Sequence, residues 1–153
     1  MAYIVALFIL KGVINIADIY VSTLDRKRVY QFPTLPEEFP TISNSTKNEE
    51  FATFSNGDFN LQNGVGLKEF GMGFMLAMHQ YSFCKCEWFY SASVIYLLET
   101  SMKEKYPIRF IFKGNNGEEW INIAVTCEKF EYHFDHQMDI VFSADFKEYR
   151  AIV

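Results

Sequence analysis

The stretch CKCEWFYSASVIYLLETSMKEKYPIRFIFK, residues 84–113, changes its period in mid-course, and that change decides the fold. Trp88, Ser91 with Ala92, Ile95, Leu98 and Met102 recur at steps of three and four, so residues 87–105 predict one amphipathic helix with a single apolar stripe. Proline lacks an amide hydrogen and disfavours helical backbone in the residue before it, so Tyr106-Pro107 ends that helix. A strand follows at once. Ile108, Phe110 and Phe112 alternate with Arg109, Ile111 and Lys113, the two-residue period of a sheet.

Outward from this stretch the patterns are strands and turns. Asn115-Asn116-Gly117 is a hairpin turn. Beyond it, Ile121, Ile123, Val125 and Cys127 occupy odd positions, whereas Phe130, Tyr132 and Phe134 occupy even ones. A β-bulge near Glu128-Lys129 keeps both halves facing one core, because one inserted residue restores the alternation. After the turn at residues 135–137, Met138, Ile140, Phe142, Ala144 and Phe146 alternate as a closing strand.

Toward the N-terminus, residues 18–24 and 29–32 read as a hairpin around the charged turn Asp25-Arg-Lys-Arg28. Residues 33–40 hold three prolines and predict an extended connector or edge segment. Residues 43–50 read as a polar loop, and residues 51–54 and 59–62 as two short strands about the Ser55-Asn-Gly-Asp58 turn. Residues 67–78 fit a helical or an alternating pattern. Their glycines decide for strand, since a glycine costs about 1 kcal/mol inside a helix. The fold class is therefore α+β: a mainly antiparallel β-sandwich or partly closed barrel with one helix, in a single domain over residues 19–153.

Residues 2–10 are apolar without interruption, and after Lys11-Gly12 the apolar character resumes to residue 21. The run lacks the basic start of an export signal, falls short of the roughly 20 residues a membrane helix needs, and is rich in β-branched side chains. A buried strand is the first reading of residues 1–18. An arm docking on a neighbouring subunit is the second, and a membrane or export segment the third. Under the second, Tyr3, Ile4, Val5, Leu7, Phe8 and Ile9 are candidate interface residues, joined by Phe32, Pro33 and Pro36 of the proline-rich segment.

At 153 residues the chain buries a sizeable core without disulfide staples. Sixteen Phe and nine Tyr suit an aromatic-rich β protein. A net charge of -5 with scattered basic residues argues against nucleic acid as a partner. Three cysteines make no disulfide framework and fit a reducing site of synthesis. Chemistry-bearing groupings are weak. Cys84-Lys-Cys86 with His79, His133, Asp135 and His136 lacks a second zinc-type pair, Cys127 sits on the apolar side of its strand, and the adjacent carboxylates of Glu37-Glu38, Glu49-Glu50 and Glu118-Glu119 diverge. Gly64-Val-Gly66 and Gly71-Met-Gly73 lack the partners of a phosphate loop. No enzyme, metal or cofactor is expected.

The succession Val29-Tyr-Gln-Phe-Pro33-Thr-Leu-Pro36-Glu-Glu-Phe39, Gly57-Asp-Phe-Asn-Leu61, Gly66-Leu-Lys-Glu-Phe70, Tyr81-Ser-Phe83, the helix, Tyr106-Pro-Ile-Arg-Phe-Ile-Phe-Lys-Gly114 and Asp145-Phe-Lys-Glu-Tyr-Arg150 resembles a family of phage tail baseplate assembly proteins. These usually end in a LysM domain and occur in contractile-tailed phages, phage-like bacteriocins and contractile injection systems. The resemblance covers residues 19–153, and no LysM domain lies within the sequence. It implies a structural, non-enzymatic protein of the virion or particle baseplate, synthesised in the bacterial cytoplasm. Such a protein clamps the central hub, tail tube or tube-initiator to surrounding wedge proteins in several copies, six being expected, around the tail axis, with no membrane partner. The alternative from the residues alone is a stand-alone small β-barrel that binds an apolar ligand or a glycan behind its aromatic side chains.

Overall fold

A computed structural model describes residues 17–153, and the arm residues Tyr3, Ile4, Val5, Leu7, Phe8 and Ile9 lie outside the described part. The elements run β1 (Ala17–Thr23), β2 (Val29–Gln31), β3 (Thr46–Thr53), β4 (Gly57–Val65), β5 (Glu69–Leu76), α1 (Tyr90–Glu104), β6 (Ile108–Gly114), β7 (Glu119–Phe134) and β8 (Ile140–Glu148). Six strands form one antiparallel sheet in the order β2-β1-β6-β7-β8-β5, and β3 and β4 form a separate two-stranded sheet. Among the described residues the first pair of β1 with β6 is Ala17 with Gly114.

The predicted bulge is present. β7 pairs with β6 through Val125↔Ile108 and with β8 from Val125↔Glu148 onward, and its register shifts between Cys127 and Lys129. Val125 is thus the pivot of a long strand whose first half serves one side of the sheet and whose second half serves the other. One extra residue just past the pivot lets Ile121, Ile123 and Phe130 all pack against the same core.

The sheet curls around its aromatic face without closing into a barrel. The ladder of β2 continues for one bond, Phe32 N–H to the Ile19 carbonyl at 2.9 Å, and the chain then reaches the opposite edge, where the Thr34 hydroxyl donates to the Met75 carbonyl. Phe32 fills the space between these edges. Its ring lies 5.6 Å from that of Phe74 and nearly parallel to that of Phe142 at 6.2 Å, while Phe70 packs on Phe110 at 4.9 Å and on Phe146 at 5.2 Å. Each such ring, fully buried, contributes about 1.5–3 kcal/mol.

The helix is shorter than its sequence pattern. It starts at Tyr90, after a turn in which Tyr90 and Ser91 N–H bond the Glu87 and Trp88 carbonyls, and it stops where Lys105 turns left-handed (φ 59°) two residues before Pro107. Its buried stripe is Ser91, Val94, Ile95, Leu97, Leu98 and Ser101, with Trp88 and Met102 on the exposed margin. The two buried serines are tolerated because Ser91 donates to the Ala77 carbonyl at 2.7 Å and Ser101 to that of Leu98 at 2.8 Å.

Two polar ties fix the loops around this core. Asp18 accepts from Gln31 at 3.1 Å and pairs with the ammonium of Lys85 at 3.4 Å, and Lys85 N–H bonds the Pro33 carbonyl at 2.7 Å. The buried carboxylate of Asp139 accepts from the Tyr81 hydroxyl at 2.5 Å and from Met78 N–H at 2.8 Å. Both ties anchor the 77–86 segment, which carries no regular structure of its own before the helix.

Residues 43–45 lie outside any strand, but residues 46–50 do not form a loop. Thr46 to Glu50 extend the strand that includes Phe51, so the two predicted short strands are parts of one longer hairpin. Alternation failed as a guide there because neither face of this hairpin is buried against the core.

Candidate assembly surface

Every residue of the β3–β4 hairpin is exposed, eight in one strand and nine in the other. The register pairs Glu49 with Leu61, Phe51 with Phe59 and Thr53 with Gly57, which places these side chains on one face. Asn48 with Gln62, Glu50 with Asn60 and Ala52 with Asp58 occupy the other. The first face carries an apolar stripe. Phe51 and Phe59 stack at 5.7 Å with 21° between their planes, yet they remain 51% and 44% exposed, and Leu61 beside them is 51% exposed. The tip is a tight turn in which Gly57 adopts φ 78°, Asn56 N–H bonds the Thr53 hydroxyl and that hydroxyl donates to the Gly57 carbonyl.

A two-stranded hairpin is marginal on its own in water. This one is held at its foot. Gly66 N–H bonds the Ser45 carbonyl, and Ser43 exchanges both backbone bonds with Glu69 of β5. Arg150 donates to the Val65 and Gly66 carbonyls at 3.3 Å and to both carboxylate oxygens of Glu148, at 3.3 and 3.2 Å. Glu148 in turn accepts from Lys68 N–H at 2.9 Å. That backbone bond, followed by Arg150, holds the Glu148 carboxyl below its ordinary value. The Glu148–Arg150 latch therefore ties the end of β8 to the root of the hairpin and fixes the direction in which the stripe projects.

The sequence-predicted interface residues divide. Phe32 is 0% exposed and Pro33 is fully buried, so both belong to the protein's own core and are closed to a partner. Pro36 is half-buried on the connector. Sequence reading did not single out the exposed Phe51, Phe59 and Leu61. Their available signal was symmetry: Phe51 and Phe59 lie two residues outside Thr53 and Gly57 on either side of one turn. Glu148 and Arg150 stood in a recognised motif, but their joint role needed the fold.

The residues considered for chemistry are not assembled into a centre. Among the described residues, no group of three or more His, Cys, Asp or Glu is placed to hold a metal ion. His79 is tied through Nε2 to the Gln137 carbonyl at 2.8 Å, whereas His133 and His136 are exposed. Burial pushes the Cys86 and Cys127 thiols up to about 11, away from the thiolate a nucleophile needs. No helix among the described residues is long and apolar enough to cross a membrane.

No protein-family model matches the chain, and no curated protein matches it. Among solved structures it is similar to a chain in the tail of an empty GTA particle computed with helical refinement and C6 symmetry, with TM-score 0.55, 7% identity, 93% of this chain and 96% of that chain covered. A chain of the anti-feeding prophage baseplate, six-fold symmetrised, aligns with TM-score 0.47 and 5% identity over 89% of this chain and 90% of that one. A chain of the anti-feeding prophage cap, which terminates the tube, aligns with TM-score 0.48 and 12% identity over 86% and 84%. At 7% identity, the likeness to the GTA tail chain is a likeness of fold.

Proposed function

We propose that this chain is a structural, non-enzymatic protein of a contractile tail or tail-like particle, present in several copies around the tail axis and seated in the baseplate region between the hub or tube and the surrounding wedges. The observation that carries the reading is the latched hairpin, whose exposed apolar stripe has no partner within the described residues. A contiguous exposed apolar surface on an otherwise well-packed domain marks a contact with another protein. The fold shared along nearly the whole length with a chain of a six-fold symmetric tail supports a ring of copies as the setting, and the order of motifs in the sequence supports the baseplate as the place.

The ligand-binding barrel gains no support. The rings of Phe32, Phe70, Phe74, Phe110, Phe142 and Phe146, which that reading would offer to a ligand, pack on one another instead. Light scattering and particle imaging of the full chain, expressed together with the neighbouring tail components, test the proposal. Rings or incorporation into a tail are expected. A monodisperse 17.9 kDa monomer that ignores those components would overturn it.

A further inference from the structure

Strand β5 is an edge whose middle is left open. Glu69 exchanges both backbone bonds with Ser43, so its N–H and C=O point away from β8, and by the two-residue period those of Gly71, Gly73 and Met75 point the same way. The Met75 carbonyl agrees with this, since it receives the Thr34 hydroxyl. Between these ties, among the described residues, nothing bonds the outward groups of Gly71 or Gly73. Clefts of about 460 and 540 Å³ lie on the two sides of the gap, the first beside Phe70, Gly71 and Phe146, the second beside Leu35, Gly73, Phe74 and Phe83. An exposed sheet edge is a template for an added strand.

Resting on the multi-copy reading above, we infer that the open middle of β5 takes residues 3–10 of a neighbouring copy of this chain as an additional strand. Three features select that occupant. The segment is apolar and rich in β-branched residues, and the second cleft offers it Leu35, Phe74 and Phe83. It is also long enough. The open stretch of β5 spans five residues, which residues 3–10 cover, and residues 11–16 between that segment and Ala17 can extend about 20 Å toward a neighbour. Charge matches at the margin: the clefts are lined by Glu37, Glu38, Glu69, Glu128 and Asp145 against a single Lys147, and Lys11, which directly follows the segment, is the one charged side chain in residues 1–16. The glycines themselves are explained by the sheet, since a Cβ at position 71 would lie 2.8 Å from the Asp145 carboxylate and one at position 73 would lie 3.1 Å from the Phe142 carbonyl.

Residue-resolved hydrogen exchange on the full chain tests this, read at dilution and again at concentrations where scattering shows multimers. The Gly71 and Gly73 amides should exchange as open amides at dilution and about a hundredfold slower in the multimer. The full-length double variant Val5→Asp, Phe8→Asp should keep the dilute pattern and lose the slowing. Multimers that form while both amides stay fast would overturn the inference and leave the assembly reading standing. Slow exchange already present at dilution, or retained in the double variant, would assign the edge to another occupant and also overturn it. Absence of any multimer, even when the neighbouring tail components are expressed with the chain, would overturn both.

Discussion

The six-stranded sheet and the β3–β4 hairpin share the same backbone geometry and have opposite means of support. In the sheet, β1, β5, β6 and β8 each bury side chains in the core, and rings such as Phe110 and Phe146 are almost wholly removed from water. In the hairpin no residue is buried, and its direction depends on backbone bonds and the Glu148–Arg150 latch at its foot. The first region explains why the domain folds; the second is the surface proposed to meet another protein. Stability and assembly should therefore respond to different phenylalanines.

The contrast is widest for Phe→Ala substitutions in the two regions. Phe110→Ala removes a ring packed on Phe70 and Phe146 and should cost about 3–5 kcal/mol in urea unfolding. Phe59→Ala should change the same quantity by less than about 0.5 kcal/mol. A comparable loss at both positions would mean that the hairpin is part of the core.

The buried Asp139 provides the next largest effect. Asp139→Ala strands the Tyr81 hydroxyl and Met78 N–H and should lower stability by about 1–3 kcal/mol. The same hydrogen bond, helped by desolvation, pushes the Tyr81 phenol from 10.0 up to about 12. A raised folded value favours the neutral phenol, so its contribution is complete below pH 10 and is lost as pH rises toward 12. Unfolding of wild type and Tyr81→Phe compared across that window should show the alkaline loss in wild type alone.

A smaller effect belongs to the latch. Glu148→Gln removes the charge that Arg150 and Lys68 N–H both address, and water screening keeps the cost below about 1 kcal/mol. Faster exchange of the Gly66 and Lys68 amides is the expected readout, with little change in the core. Because the folded carboxyl is depressed, its contribution is present above its ordinary value of 4.5 and disappears as pH falls through the lower, folded value. Acid should therefore loosen the hairpin foot in wild type and leave the variant unchanged.

Legibility followed burial. The bulge after Cys127 could be read because two runs of inward side chains on either side of it had to reach one core. The end of the helix could be read because Pro107 imposes it locally, whereas its start at Tyr90 could not, since Trp88 fits the stripe yet stays at its exposed margin. Phe32 and Pro33 were misjudged as surface because proline spacing suggests an edge and says nothing about which edge the chain then crosses to cover. The hairpin was underestimated for the same physical reason that makes it interesting: no core imposes a pattern on Thr46 to Glu50.

The most direct test joins Phe51→Ser with Phe59→Ser in the full chain and measures its mass by light scattering alongside its thermal unfolding. The account predicts an unchanged unfolding temperature and a 17.9 kDa monomer under conditions in which the wild-type chain joins rings or tails. Assembly that proceeds undiminished in the double variant would contradict the assignment of the hairpin stripe as the assembly surface.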